Sequence, residues 1–219
     1  VTVINLLRSY EEYFKSDLFL EKDFGLLFFL NCFVSLPKFY TNFCMTRIGL
    51  LSDTHGFWDE KYVKYFSECD EIWHAGDIGT TEVADKLAAI ARLRAVYGNI
   101  DGGDLRYMFS EKYRFKCEDV DVFIKHIGGY PGKYDASIRG MMYANPPRLF
   151  ICGHSHLLKV MYDKTINCLH INPGAAGQYG FHKVRTLVRF VIDGSEIKDL
   201  EVIELGEAVK GVAEAQLRP

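Results

Sequence analysis

The chain has 219 residues, 48% of them hydrophobic and 25% charged, with a formal net charge of −3. This composition suits one well-filled globular domain rather than a disordered segment, and the small net charge excludes a broad electrostatic attraction to nucleic acid or anionic lipid. Six cysteines are scattered without a CxxC pair, a usage that fits reduced thiols and a cytoplasmic location better than a disulfide-stapled secreted fold.

Residues 1–44 read differently from the rest. Their apolar run FGLLFFLNCFVSL (24–36) is shorter than the ~20 residues that a bilayer span needs. Acidic residues precede it and no small-x-small cleavage site follows, so neither a membrane anchor nor a secretory signal is expected. The working domain is expected at 45–206, with a polar tail at 207–219 and with 1–44 as an extension upstream of a start at Met45. The competing reading is an amphipathic segment that packs on the domain or on a partner.

From Met45 onward, RIGLLSD (47–53), EIWHAGD (71–77) and LRAVYGN (93–99) read as buried strands ending in polar turns. Between them, WDEKYVKYFSE (58–68) and TTEVADKLAAIAR (80–92) have helical spacing, the second behind a threonine cap. The order is βαβαβ, hence parallel strands with right-handed crossovers. Strands follow at KYRFKCED (112–119) and VDVFIKH (120–126), a helix over 134–144, and strands at 148–153, 159–163, 166–172, 186–193 and 196–205. Asp193-Gly194 reads as the two-residue loop joining the last two. So many strands overload one open sheet, and the pattern predicts an α/β fold with two packed sheets flanked by helices.

Polar groups gather at the strand ends: Asp53 and His55, Asp77, Asn99, His126, then His154 and His156. The carboxyl ends of parallel strands are where an α/β sheet binds ligands. Two carboxylates, an amide oxygen and four imidazoles form a mixed nitrogen and oxygen set that suits manganese, iron, nickel or zinc and is wrong for calcium. In extended backbone, residues i and i+2 project to one side, so each of the pairs Asp53/His55 and His154/His156 is expected to face one cavity, with Ser155 turned away. Seven ligands exceed one tetrahedral ion and suit two ions ~3.5–4 Å apart bridged by a carboxylate.

In their order and spacing, DTH (53–55), GDIG (76–79), GNID (98–101), a lone histidine and GHSH (153–156) resemble the motifs of the calcineurin-like metallophosphoesterases, particularly the small bacterial and archaeal phosphodiesterase branch. The resemblance covers about 45–206. It implies a four-layer α/β/β/α sandwich with two mixed β-sheets. It further implies that Asp53, His55, Asp77 and His156 hold one ion, that Asp77, Asn99, His126 and His154 hold the other, and that Asp77 bridges them. The implied activity is hydrolysis of a small phosphodiester in a site with two divalent ions, manganese first among them, in which Asp77, Asn99 and His154 act at the reacting phosphate. The alternative is a non-catalytic, protein-binding scaffold on the same fold.

Two positions depart from the resembled pattern. Many relatives place a histidine after the asparagine, where this chain has Ile100, and relatives usually follow the lone histidine with glycine, where this chain has Ile127. The first departure removes an obvious proton donor to the leaving group and predicts a preference for activated esters. Lys133 and Arg139 are candidates to meet a substrate anion. His74, His170 and His182 belong to no motif and are read as structural, with His74 near enough to hydrogen-bond a ligand. Asn172-Pro173-Gly174 is read as shaping a wall of the site. Neither a membrane nor a nucleic-acid partner is expected, and a homo-oligomer stays open.

Overall fold

The computed structural model describes residues 45–180 and 182–209. The extension at 1–44 and the tail from 210 lie outside the described residues. Among those described, the βαβαβ half consists of β1 (Thr46–Leu51), α1 (Glu60–Phe66), β2 (Glu71–His74), α2 (Thr81–Ile90) and β3 (Arg92–Ala95). Next come α3 (Gly103–Met108), β4 (Lys112–Cys117), β5 (Val120–Lys125), β6 (Gly129–Tyr130), β7 (Lys133–Tyr134) and α4 (Ala136–Ala144). The chain continues through β8 (Leu149–Ile151), β9 (Leu158–Asp163), β10 (Cys168–Pro173), β11 (Val184–Asp193) and β12 (Glu196–Glu207).

These strands form two five-stranded sheets, ordered β12-β11-β1-β2-β3 and β4-β5-β8-β10-β9, beside the small β6-β7 hairpin. Both large sheets are mixed. In the first, β1, β2 and β3 run parallel and β11 is antiparallel to β1; in the second, β5, β8 and β10 run parallel between antiparallel edges. Alternation along the strands then assigns the layers. Ile48, Leu50 and Trp73 of the first sheet pack with Val122, Ile124, Leu149, Ile151 and Ile171 of the second to form the inter-sheet core. Truncating a core aliphatic such as Ile151 to alanine would cost about 2–5 kcal/mol.

On the outer face of the first sheet, Tyr62 and Phe66 of α1 and Val83 and Leu87 of α2 cover Leu51 and Ile72. On the other side, Ile138 and Met142 of α4 cover Phe123 and Phe150. The layers therefore run α/β/β/α. Helices α1, α2 and α4 begin on side-chain caps from Asp59, Thr80 and Asp135, each accepting from a backbone N–H of its first turn.

Strand register positions the site. Leu51 of β1 is paired with His74 of β2, which is paired with Ala95 of β3, so the segments carrying Asp53, Asp77 and Asn99 leave the first sheet at one edge. In the second sheet Ile124, Ile151 and Ile171 are aligned in the same way, and the segments carrying His126 and His154 leave beside Asn172, near the end of β10.

Three local expectations need correction. The last hairpin turns on Gly194-Ser195, because Asp193 is itself paired with Glu196 and only Gly194, at φ 58°, takes the left-handed position. Helix α3 was hidden by Gly102-Gly103, which reads as a turn, and it buries only Leu105. Strands β6 and β7, two residues each, are too short for a periodic signal.

Candidate metal centre

The backbone at the candidate ligands is not extended. Five of the seven lie in the left-handed region: Asp53 (φ 55°), His55 (φ 50°), Asp77 (φ 55°), His154 (φ 66°) and His156 (φ 56°). This region is uncommon for residues other than glycine, though Asp and His are enriched there, and it persists where surrounding structure fixes it. Here cross-loop hydrogen bonds fix it: Asp53 N–H donates to Gly76 O (3.0 Å), His55 N–H to Asp77 O (3.0 Å) and Gly153 N–H to His126 O (3.0 Å).

Left-handed rather than extended backbone therefore delivers the GHSH pair to the cluster. His156 joins Asp53 and His55, whereas His154 joins Asp77 and His126, giving two groups whose ligand atoms lie within 4.8 Å of one another. Ser155 belongs to neither group, and its hydroxyl accepts from Asn172 Nδ2 at 3.1 Å.

In the first group, His156 Nε2 stands 3.2 Å from Asp53 Oδ1 and 3.2 Å from His55 Nε2. In the second, His126 Nε2 stands 3.2 Å from Asp77 Oδ2. Asp53 Oδ1 lies between the groups, 3.9 Å from both His55 Nε2 and His126 Nε2. His126 Nδ1–H donates to Ala75 O at 2.8 Å, so the neutral imidazole would turn the Nε2 lone pair inward; burial lowers this group, but Asp77 and Asp53 outweigh it and raise it above the ordinary imidazole value, so a cation there would displace a proton. Asp53 Oδ1 and His126 Nε2 are buried without a hydrogen-bond partner among the described residues. Buried polar atoms are almost always satisfied, so these two, converging with carboxylate and imidazole neighbours, fit a divalent cation.

Electrostatics prepare the ligands. Burial pushes the Asp53 carboxyl up, but His156 and His126 outweigh it and hold the group below the usual carboxylate range. For Asp77, burial is likewise outweighed by His126 and by the Ile100 N–H. Burial lowers the His55 and His154 imidazoles, so both are neutral near pH 7, as a metal ligand must be.

Neighbouring groups fix the loops. Gly76 N–H donates to His74 Nδ1 (3.1 Å), so His74 Nε2–H donates to Thr54 Oγ1 (3.0 Å), whose hydroxyl donates to Ile78 O (2.9 Å). His74 thus ties the Asp53 loop to the Asp77 loop. Asp101 accepts N–H bonds from Ile78 (3.1 Å), Gly79 (2.7 Å) and Gly98 (2.8 Å), joining the Asp77 and Asn99 loops. Gly98 is required there, since a Cβ would overlap Asp77 Oδ1. Sequence reasoning placed His74 near the ligands without resolving its work, and it passed over Thr54, which sits unmarked inside DTH. His182 packs edge-on against His156, with ring centroids 5.3 Å apart.

Asn99 is exposed at the rim of a cavity of about 410 Å³ that His126, Arg106, Glu111 and Lys125 also line. Lys133 and His154 line a second cavity, of about 300 Å³. Arg139 reaches neither, because its guanidinium is bonded to Tyr134 O at 3.2 Å. Asn172 donates to Gly153 O at 2.8 Å and so braces the GHSH loop.

The family model for the calcineurin-like phosphoesterase superfamily domain matches residues 46–195. The chain belongs to that superfamily. A curated relative named "Probable metallophosphoesterase" from Methanocaldococcus jannaschii is 29% identical over 135 residues, covering 58% of this chain and 67% of the relative. Among solved structures, a novel archaeal phosphodiesterase superposes with TM-score 0.57 at 22% identity, over 72% of this chain and 100% of its own. Vps29 from Entamoeba histolytica, complexed with Zn2+, superposes with TM-score 0.58 at 16% identity, over 73% of this chain and 98% of its own. At these identities the two superpositions show the calcineurin-like fold. Among the described residues, no helix is long and apolar enough to cross a membrane, and Cys69, Cys117, Cys152 and Cys168 are free thiols.

Proposed function

We propose that this metallophosphoesterase is a phosphodiesterase using two divalent ions, manganese first among them, to hydrolyse small phosphodiesters in the cytoplasm. The observation that carries the reading is the pair of facing Asp/His groups, Asp53/His55/His156 and Asp77/His126/His154. The first group with Asp77 would hold one ion, the second with Asn99 the other, and Asp77 would serve both. Bound there, the ions would supply Lewis acidity and lower the pKa of water towards neutrality.

The residues of the chain do the rest. The loop-locked carboxylates would hold the cations, and His126, oriented by Ala75 O, would offer Nε2 to them. Asn99 and His154 are exposed, and in this reading they would help hold the phosphoryl oxygens as charge builds on them. Two cavities flank these residues, one reached by Asn99 and His126 and one by His154, which gives room for two ester arms and supports a diester over a monoester. Ile100 stands where a proton donor would serve the leaving oxygen, so that oxygen leaves unassisted or takes its proton from water.

Metal binding alone does not separate this reading from a scaffold on the same fold, so turnover is the test. A metal-analysed preparation should cleave diesters such as bis(4-nitrophenyl) phosphate, glycerophosphodiesters or cyclic nucleotides in preference to the matching monoesters. Binding of metal without turnover of any of them would favour the scaffold.

A further inference from the structure

The two cavities beside the centre share Ile127 and Asp135, so they meet on one ridge and diverge from it. Their charges differ in availability. In the larger, Lys125 is held by Ser137 Oγ (2.6 Å) and Glu111 (3.3 Å), and Arg106 donates to Asp101 O at 2.5 Å. In the smaller, the cations are Lys133 and Lys159. The lysine ion pairs among the described residues are those of Lys86, Lys125 and Lys198, so neither Lys133 nor Lys159 has a carboxylate partner there. The one acid on the wall, Asp135, caps α4 by accepting from Ser137 N–H and Ser137 Oγ through Oδ1, so the two lysines outnumber the single carboxylate on the wall.

The hairpin backbone fixes where Lys133 starts, and a ring contact restrains the Lys159 ammonium. The β6-β7 hairpin pairs Tyr130 with Lys133 across Pro131-Gly132, with Gly132 at φ 82° as the second turn residue. Lys159 of β9 lies 4.0 Å above the Tyr130 ring, a cation–π contact that reduces its freedom. His170 lines the same cavity at 1% exposure, and its Nδ1 has no partner among the described residues. Burial, then the charge of Lys159, pushes this imidazole down to about 4, so it offers a hydrogen-bonding atom without a charge.

We infer that the smaller cavity is a specificity subsite for an anionic group carried on one ester arm of the substrate, read by Lys133 and by the Tyr130-supported Lys159. The larger cavity would then take the uncharged arm. This rests on the phosphodiesterase reading and adds to it the class of diester.

The test uses two substrates that share the same 4-nitrophenyl leaving group: 4-nitrophenyl phenyl phosphate and 4-nitrophenyl 4-carboxyphenyl phosphate. With manganese-loaded full-length protein, the ratio of kcat/KM should favour the carboxylate substrate by about tenfold or more, the scale of one good charge-assisted contact. Lys159→Ala should bring that ratio to within about twofold of unity. A ratio near one in the unmodified chain, or an unchanged ratio in Lys159→Ala, would overturn the subsite while leaving the diesterase reading intact. Hydrolysis of neither substrate would overturn both.

Discussion

Asp53 Oδ1 and His126 Nε2 face each other 3.9 Å apart across the two ligand groups, both buried and neither hydrogen-bonded. A cation between such atoms binds the folded chain and not the unfolded one, so it must stabilise the fold. Manganese at ~100 times its Kd should raise stability by about 2.7 kcal/mol, read as an increase in Tm that chelator reverses. Asp53→Asn should lose most of the increase. An unchanged Tm in excess metal would count against the centre.

Asp77 stands 3.2 Å from His126 Nε2 and accepts from Ile100 N–H at 3.0 Å. Asp77→Asn removes one negative charge while keeping the shape of the side chain. It should lower bound metal per chain and reduce kcat/KM on bis(4-nitrophenyl) phosphate by at least ~100-fold. Metal analysis and kinetics on one preparation check both, and full activity would refute the role given to Asp77.

Ile100, 37% exposed beside the Asp77 loop, cannot protonate a leaving oxygen. General-acid assistance is worth ~10²–10⁴-fold, so alkyl diesters should lag behind nitrophenyl diesters by at least that lower figure. Ile100→His should recover about tenfold or more on the alkyl ester with little gain on the aryl one. Equal rates on both esters in the unmodified chain would point to a proton donor elsewhere.

Asp101 is buried and accepts three backbone N–H bonds from the Asp77 and Asn99 loops. Asp101→Ala would strand those donors at ~1–3 kcal/mol each before relaxation. A lower Tm together with weaker metal binding, by about 10–100-fold, is expected because the loops carry the ligands. A lower Tm with unchanged metal affinity would make Asp101 a purely structural brace.

His170 is buried beneath Lys159, and its imidazole is held down at about 4 from the ordinary 6.5. The unfolded chain therefore binds more protons between those values, and stability must rise with pH across the window. The contribution is complete above about 6.5 and fades as pH falls towards about 4, amounting to at most ~3 kcal/mol. Urea unfolding at pH 4.5 and pH 7 should show a smaller pH difference in His170→Phe than in the unmodified chain.

Much of this was legible because parallel strands end together. Asp53, Asp77 and Asn99 follow three strands whose ends are in register, and His126 and His154 follow two more, beside Asn172 near the end of β10. The layering was also readable, since Ile48 and Leu50 alternate with residues facing α1. The loops were not, because left-handed backbone at five aspartates and histidines carries no hydrophobic period. That is why extended backbone was expected at His154 and His156, where left-handed residues instead send one imidazole to each ligand group. The short β6-β7 hairpin, which presents Tyr130 and Lys133, escaped for the same reason: two-residue strands carry no pattern.

The central claim is tested most directly by titrating manganese into metal-depleted protein while following bis(4-nitrophenyl) phosphate hydrolysis and bound metal together. The account predicts no turnover without metal and full turnover at two ions per chain. Turnover that survives complete chelation, or none at two bound ions, would contradict it.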